Sequence, residues 1–185
     1  APHWQRRQLQ NGSYAESRYP KVPGVLLELL SHQNYNDMRY GLDPRVKFTV
    51  SRAIYKSMLR FIHAQYGTEY VVQPLPVQSM QMNRTENELT IHWEPTIDPL
   101  ESTATPTYYI IYTRQDNGDW DNGTRIINST YSFTATTGIR YDFRVVAGNA
   151  GGISMPSEVL SAYISPEEKA QVLVLNGFTR VSGPE

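Results

Sequence analysis

The sequence predicts an α+β multidomain chain in which an all-β sandwich follows an incomplete α/β strand and helix. Three patterns carry that expectation. Apolar residues recur at every second position in short segments between about residues 74 and 164, as half-buried strands require. They recur at every third or fourth position from Val50 to Ile62, as on one helix face, and run almost unbroken from Val25 to Leu30. The chain changes character near Gln73, which places boundaries at 1–72, 73–165 and 166–185.

At 185 residues and 39% hydrophobic content, the chain can bury a core and holds one large or two small domains. A net charge of −1 with interspersed acids and bases gives no electrostatic footprint for nucleic acid or an anionic membrane. No apolar run approaches the roughly 20 residues of a membrane span, and the opening lacks the apolar centre of a signal peptide. With no cysteine, disulfides and thiolate metal sites are excluded.

In chain order, residues 1–21 are polar and aperiodic and read as a long loop. Residues 25–30 suit a parallel strand covered on both faces. Residues 43–66 read as a helix: Asp43 as its cap, Pro44 at its first position and Gly67 after its last turn. Val50, Ile54, Met58, Phe61 and Ile62 would form its apolar face, against residues 25–30. Four alternating segments follow, with Leu89, Ile91 and Trp93 on one face of the first and Tyr141, Phe143, Val145 and Ala147 on one face of the last. Residues 172–175 read as the first strand of a following, truncated domain, so that both ends look cut from a longer protein.

The β segment closely resembles a fibronectin type III (immunoglobulin-like) domain. The likeness rests on Pro74 and Pro76 at entry, Trp93 on the second strand, Tyr108, Ile110 and Tyr112 on the third, and "YDFRVVAGNAGGISMPS" over the sixth strand and the turn into the seventh. It implies that Tyr141 is a tyrosine-corner residue, its ring in the core and its hydroxyl on nearby backbone. Trp120, in the hairpin "QDNGDWDNG", and Tyr131 are the sugar-binding candidates, since an aromatic near a turn can stack on a sugar ring; simple hairpin packing is the alternative. The sequons at Asn83, Asn122 and Asn128 are short enough to arise by chance, and Asn122-Gly123 is explained as a turn.

"VLLELLSHQNYND" resembles the closing motif of zinc-dependent N-acetylmuramoyl-L-alanine amidases, with "LLSHQ" where that family has a Gly-Phe-Leu-Ser-like segment. The resemblance implies Glu28 as the catalytic glutamate, supported by Asn34 and Asp37, with residues 43–66 as the terminal helix. In that family the glutamate assists a zinc-bound water and then protonates the departing amine. The alternative is that Glu28 pairs with Arg39, Arg45 or Arg52. Zinc would belong to the intact parent, held by two histidines and a glutamate earlier in the domain. His3, His32, His63 and His92 do not supply that set, so this chain alone carries no metal site and no cofactor. The motif followed by a fibronectin type III domain also looks like bacterial proteins labelled xanthan lyase.

The leading expectation is therefore a fragment of an extracytoplasmic bacterial cell-wall or polysaccharide-acting hydrolase, itself inactive. Its partners would be peptidoglycan or another glycan and the remainder of the parent protein. The alternative is a non-enzymatic adhesive or spacer module, and polysaccharide lyase activity is a third.

Overall fold

Alternation of apolar and polar residues builds two antiparallel sheets in the second half of the chain. The computed structural model describes residues 8–167 and 172–174. These fall into two units divided within one helix, between Val50 and Ser51.

In the first unit a single helical turn, α1 (Ala15–Arg18), interrupts the opening loop, and a short helix, α2 (Tyr35–Gly41), precedes α3 (Pro44–Tyr66). The Asp43 carboxylate accepts the Arg45 amide proton at 2.9 Å, and Gly67 follows the last turn at φ 65°, so the expected cap and stop are both in place. The expected strand at 25–30 is absent: these residues have no regular structure, and Val25, Leu26, Leu27, Leu29 and Leu30 are 39–74% exposed. A parallel strand exists only beside partners that take its N–H and C=O groups, and no strand is found among the described residues before Gln78. The expected α/β pairing of strand and helix is therefore corrected. Residues 172–174 are likewise irregular and about 85% exposed; the rest of the segment expected as a new strand lies outside the described residues.

In the second unit, β1 (Gln78–Thr85), β2 (Glu88–Glu94) and β5 (Thr130–Thr134) form one sheet in the order β1-β2-β5. The other contains β4 (Thr124–Ile126), β3 (Tyr108–Gln115), β6 (Arg140–Asn149) and β7 (Gly152–Ile153), in that order, with β8 (Leu160–Tyr163) also on β6. Leu89, Ile91 and Trp93 meet Tyr109, Ile111, Tyr141, Phe143, Val145 and Ala147 between the sheets, all at most 7% exposed. The Tyr141 hydroxyl accepts the Thr136 amide proton at 3.2 Å, as the tyrosine-corner expectation requires. Pro156 falls between β7 and β8, where the ladder to β6 breaks. There Ser154 and Ser157 accept the amide protons of Ala147 and Val145 with their hydroxyls, at 3.0 and 2.9 Å.

Candidate functional site

The segment between α3 and β1 is held in place by its own burial and by one asparagine. Val72 and Pro74 are fully buried, so the chain from Gly67 to β1 enters the sandwich along a defined path. Asn149, 6% exposed at the end of β6, donates its side-chain amide to the carbonyls of Val72 and Thr103, both at 2.9 Å. Its carbonyl accepts the Gly151 amide proton at 2.8 Å. Gly151 is required here because a Cβ would stand 2.4 Å from the Val71 carbonyl oxygen.

Helix α3 is fastened over the same region by its polar face. Arg52, Tyr55, Lys56 and Arg60 share one side at spacings of three and four. Arg52 grips Asp98 with two nitrogens, at 3.0 and 2.8 Å, and reaches the Gln73 carbonyl at 3.1 Å; the two side chains are only 10% and 7% exposed. The Tyr55 hydroxyl accepts the Gln73 amide proton at 3.2 Å. Glu101 takes Lys56 at 3.2 Å, Arg60 at 2.9 Å and the Tyr70 hydroxyl at 3.1 Å. Met58, Phe61 and Ile62, expected to pack inward, are instead 40–62% exposed.

Burial pushes the Asp98 and Glu101 carboxyls up. The hydrogen bonds and charges of Arg52 and the Leu100 amide on one, and of Lys56, Tyr70 and Arg60 on the other, outweigh it and leave both below their ordinary values of 3.8 and 4.5. Asp142, in β6, is lowered in the same way: burial raises it, and Ser161, Arg114 and Arg140 bring it below 3.8. A carboxyl lowered in the folded state stabilises the fold above its unfolded pKa and loses that contribution as pH falls through the folded value. Stability to urea should therefore be level from pH 7 to 5 and decline below about pH 4.5. In the Asp98→Asn, Glu101→Gln double variant, the decline should be shallower. An identical slope would mean that other carboxyls govern the acid limb.

The residues singled out from the amidase-like motif belong to the first unit. Glu28 is exposed on an irregular segment and has no ion pair among the described residues; Arg45 pairs with Asp43 and Arg52 with Asp98. Asn34 caps α2, its Oδ1 accepting the Asn36 amide proton at 3.0 Å, and Asp37 accepts the Ser31 amide proton at 3.0 Å. Both secure a turn onto a helix start. His3 lies outside the described residues, His32 and His63 are exposed, and His92 points outward to Thr130. Among the described residues no group of three His, Cys, Asp or Glu is placed to hold a metal, so the side chains present do not fit a zinc site.

Trp120 is half-buried, with the guanidinium carbons of Arg144 and Arg114 at 4.3 and 4.7 Å from its ring centroid. Arg144 also lies over Tyr112, and Arg125 over Tyr108, 3.8 Å away. The ring of Tyr108 rests on Gly148, where a Cβ would collide at 2.2 Å. Trp120 thus belongs to a ladder of arginines and aromatics along the outer face of β3 and β6. Tyr131 is half-buried against the core and lines a depression beside the hairpin.

Residues 75–163 match the fibronectin type III domain family. A titin homolog of Caenorhabditis elegans is 27% identical over 131 residues; the match covers 60% of this chain, which spans about 1% of that curated relative's length. Among solved structures, the twitchin kinase region from C. elegans aligns at 23% identity with a TM-score of 0.46, over 54% of this chain and 18% of that one. A structure of titin kinase and its flanking domains aligns at 22% and 0.43, over 51% and 18%.

Proposed function

We propose, from the premise that residues 75–163 form a fibronectin type III domain, that this part of the chain is a non-enzymatic spacer that holds a preceding helix rigidly on a β-sandwich. The observation that carries it is the clamp. Arg52–Asp98 and the Lys56, Arg60 and Tyr70 contacts to Glu101 fasten three turns of α3 to the loop after β2, and the intervening segment is buried instead of free. A flexible tether would need none of this. A fibronectin type III domain needs no cofactor. Domains of this family are typically extracellular or surface-exposed, which supports an extracytoplasmic location for this one. No helix among the described residues is long and apolar enough to cross a membrane.

The test is orientational. Residual dipolar couplings from residues 51–66 and from the strands should fit one alignment tensor in the intact chain and two in the Arg52→Ala, Glu101→Ala double variant. Two tensors in the unaltered chain would sink the spacer reading.

A further inference from the structure

Sheet edges offer unpaired N–H and C=O groups to any passing strand, and most edges of this sandwich are guarded. β1 carries a bulge between Gln78 and Gln81 and a positive φ of 53° at Ser79. β4 has three residues with Arg125 at its centre, and the edge made by β7 and β8 breaks around Pro156. β5, Thr-Tyr-Ser-Phe-Thr, has no charge, no proline and no bulge.

Its register fixes which groups are free. The Trp93 amide bonds the Ser129 carbonyl and the Ala135 amide bonds the Asn87 carbonyl, so residues 129, 131, 133 and 135 face β2. Thr130, Ser132 and Thr134 therefore direct their backbone groups outward, and their side chains are exposed. Beside this edge lies a depression of about 390 Å³ lined by Thr113, Gln115, Asp119, Asp121, Tyr131 and Phe133. Asp119 is exposed and has no hydrogen bond or ion pair among the described residues; Asp121 is exposed and uses one carboxylate oxygen on the amides of Thr113 and Gly123.

We infer that β5 accepts an extended basic peptide as a fourth strand of the β1-β2-β5 sheet. The peptide's backbone pairs with Thr130, Ser132 and Thr134, and a Lys or Arg lays its aliphatic stem on Tyr131 and Phe133 and its charge at Asp119 and Asp121. Charge favours this occupant over a second copy, because β5 carries no cation to meet those carboxylates. The inference is independent of the clamp on α3.

The probe is a fluorescein-labelled Thr-Val-Thr-Lys-Thr-Val-Thr peptide with a twin in which Glu replaces Lys, titrated against the full 185-residue chain. The Lys peptide should bind at least tenfold more tightly, and its saturation should slow hydrogen exchange at the amides of Thr130, Ser132 and Thr134. Ser132→Pro should weaken it tenfold or more, since this position donates nothing to β2. Asp119→Lys, an exposed change that keeps the fold, should invert the preference and decides the matter if the proline variant misfolds. Equal affinities, no binding, or unchanged exchange at those three amides would overturn the proposal. So would protection of the same amides by dimerisation of the chain alone, detected by sedimentation, which would make a second copy the occupant.

Discussion

Tyr141→Ala should destabilise the sandwich by about 3 to 5 kcal/mol, the cost of a large cavity plus an orphaned amide. The ring is 3% exposed, its centroid 4.9 Å from that of Phe133 and 6.4 Å from that of Phe143. Its hydroxyl accepts the Thr136 amide proton. Tyr141→Phe keeps the packing and should cost only about 1 kcal/mol, which isolates the hydrogen bond. Trp120→Ala removes a half-buried ring from the outer face and should cost about 1 kcal/mol, mostly through lost contact with Arg114 and Arg144. Urea unfolding of the three variants measures the order. Comparable losses for Tyr141→Ala and Trp120→Ala would contradict the assignment of one ring to the core and the other to the surface.

Asp98→Ala should cost about 2 to 4 kcal/mol and release α3 from the sandwich. Removing the acid leaves the Arg52 charge, 10% exposed, with only the Gln73 carbonyl to meet it, and an unpaired buried charge costs more than the pair contributes. The Arg52→Met, Asp98→Leu double variant removes both charges and should recover much of the loss. Amide exchange across residues 51–66 separates unclamping from global unfolding: in Asp98→Ala these amides should exchange faster while those of β3 and β6 stay slow. Unchanged exchange in the helix would show that the ion pair holds nothing in place.

The strand faces, the helix with its cap at Asp43 and its stop at Gly67, and the core positions of Trp93, Tyr141 and Phe143 were legible in the chain. Each is set by neighbours within a few residues or by a period of two that only one buried face can satisfy. Two expectations failed because local pattern does not name a partner. Residues 25–30 have the composition of a buried strand, yet a strand exists only beside others that take its backbone groups. On α3 the apolar stripe promised the packing face, while the face that docks is Arg52, Tyr55, Lys56 and Arg60. Their acids, Asp98 and Glu101, lie 41 to 46 residues away in the loop after β2, where an Asp-Pro and a Glu look like ordinary turn residues. Asn34 and Asp37 were visible as a motif; their bonds came only with the structure, in which Asn34 caps α2 through the Asn36 amide and Asp37 accepts the Ser31 amide proton. The sequence by itself determined the β-sandwich and its core, because alternation and turn chemistry are local. Only the tertiary structure decided that the helix is clamped by charge, because an ion pair across the fold leaves no periodic trace in the chain.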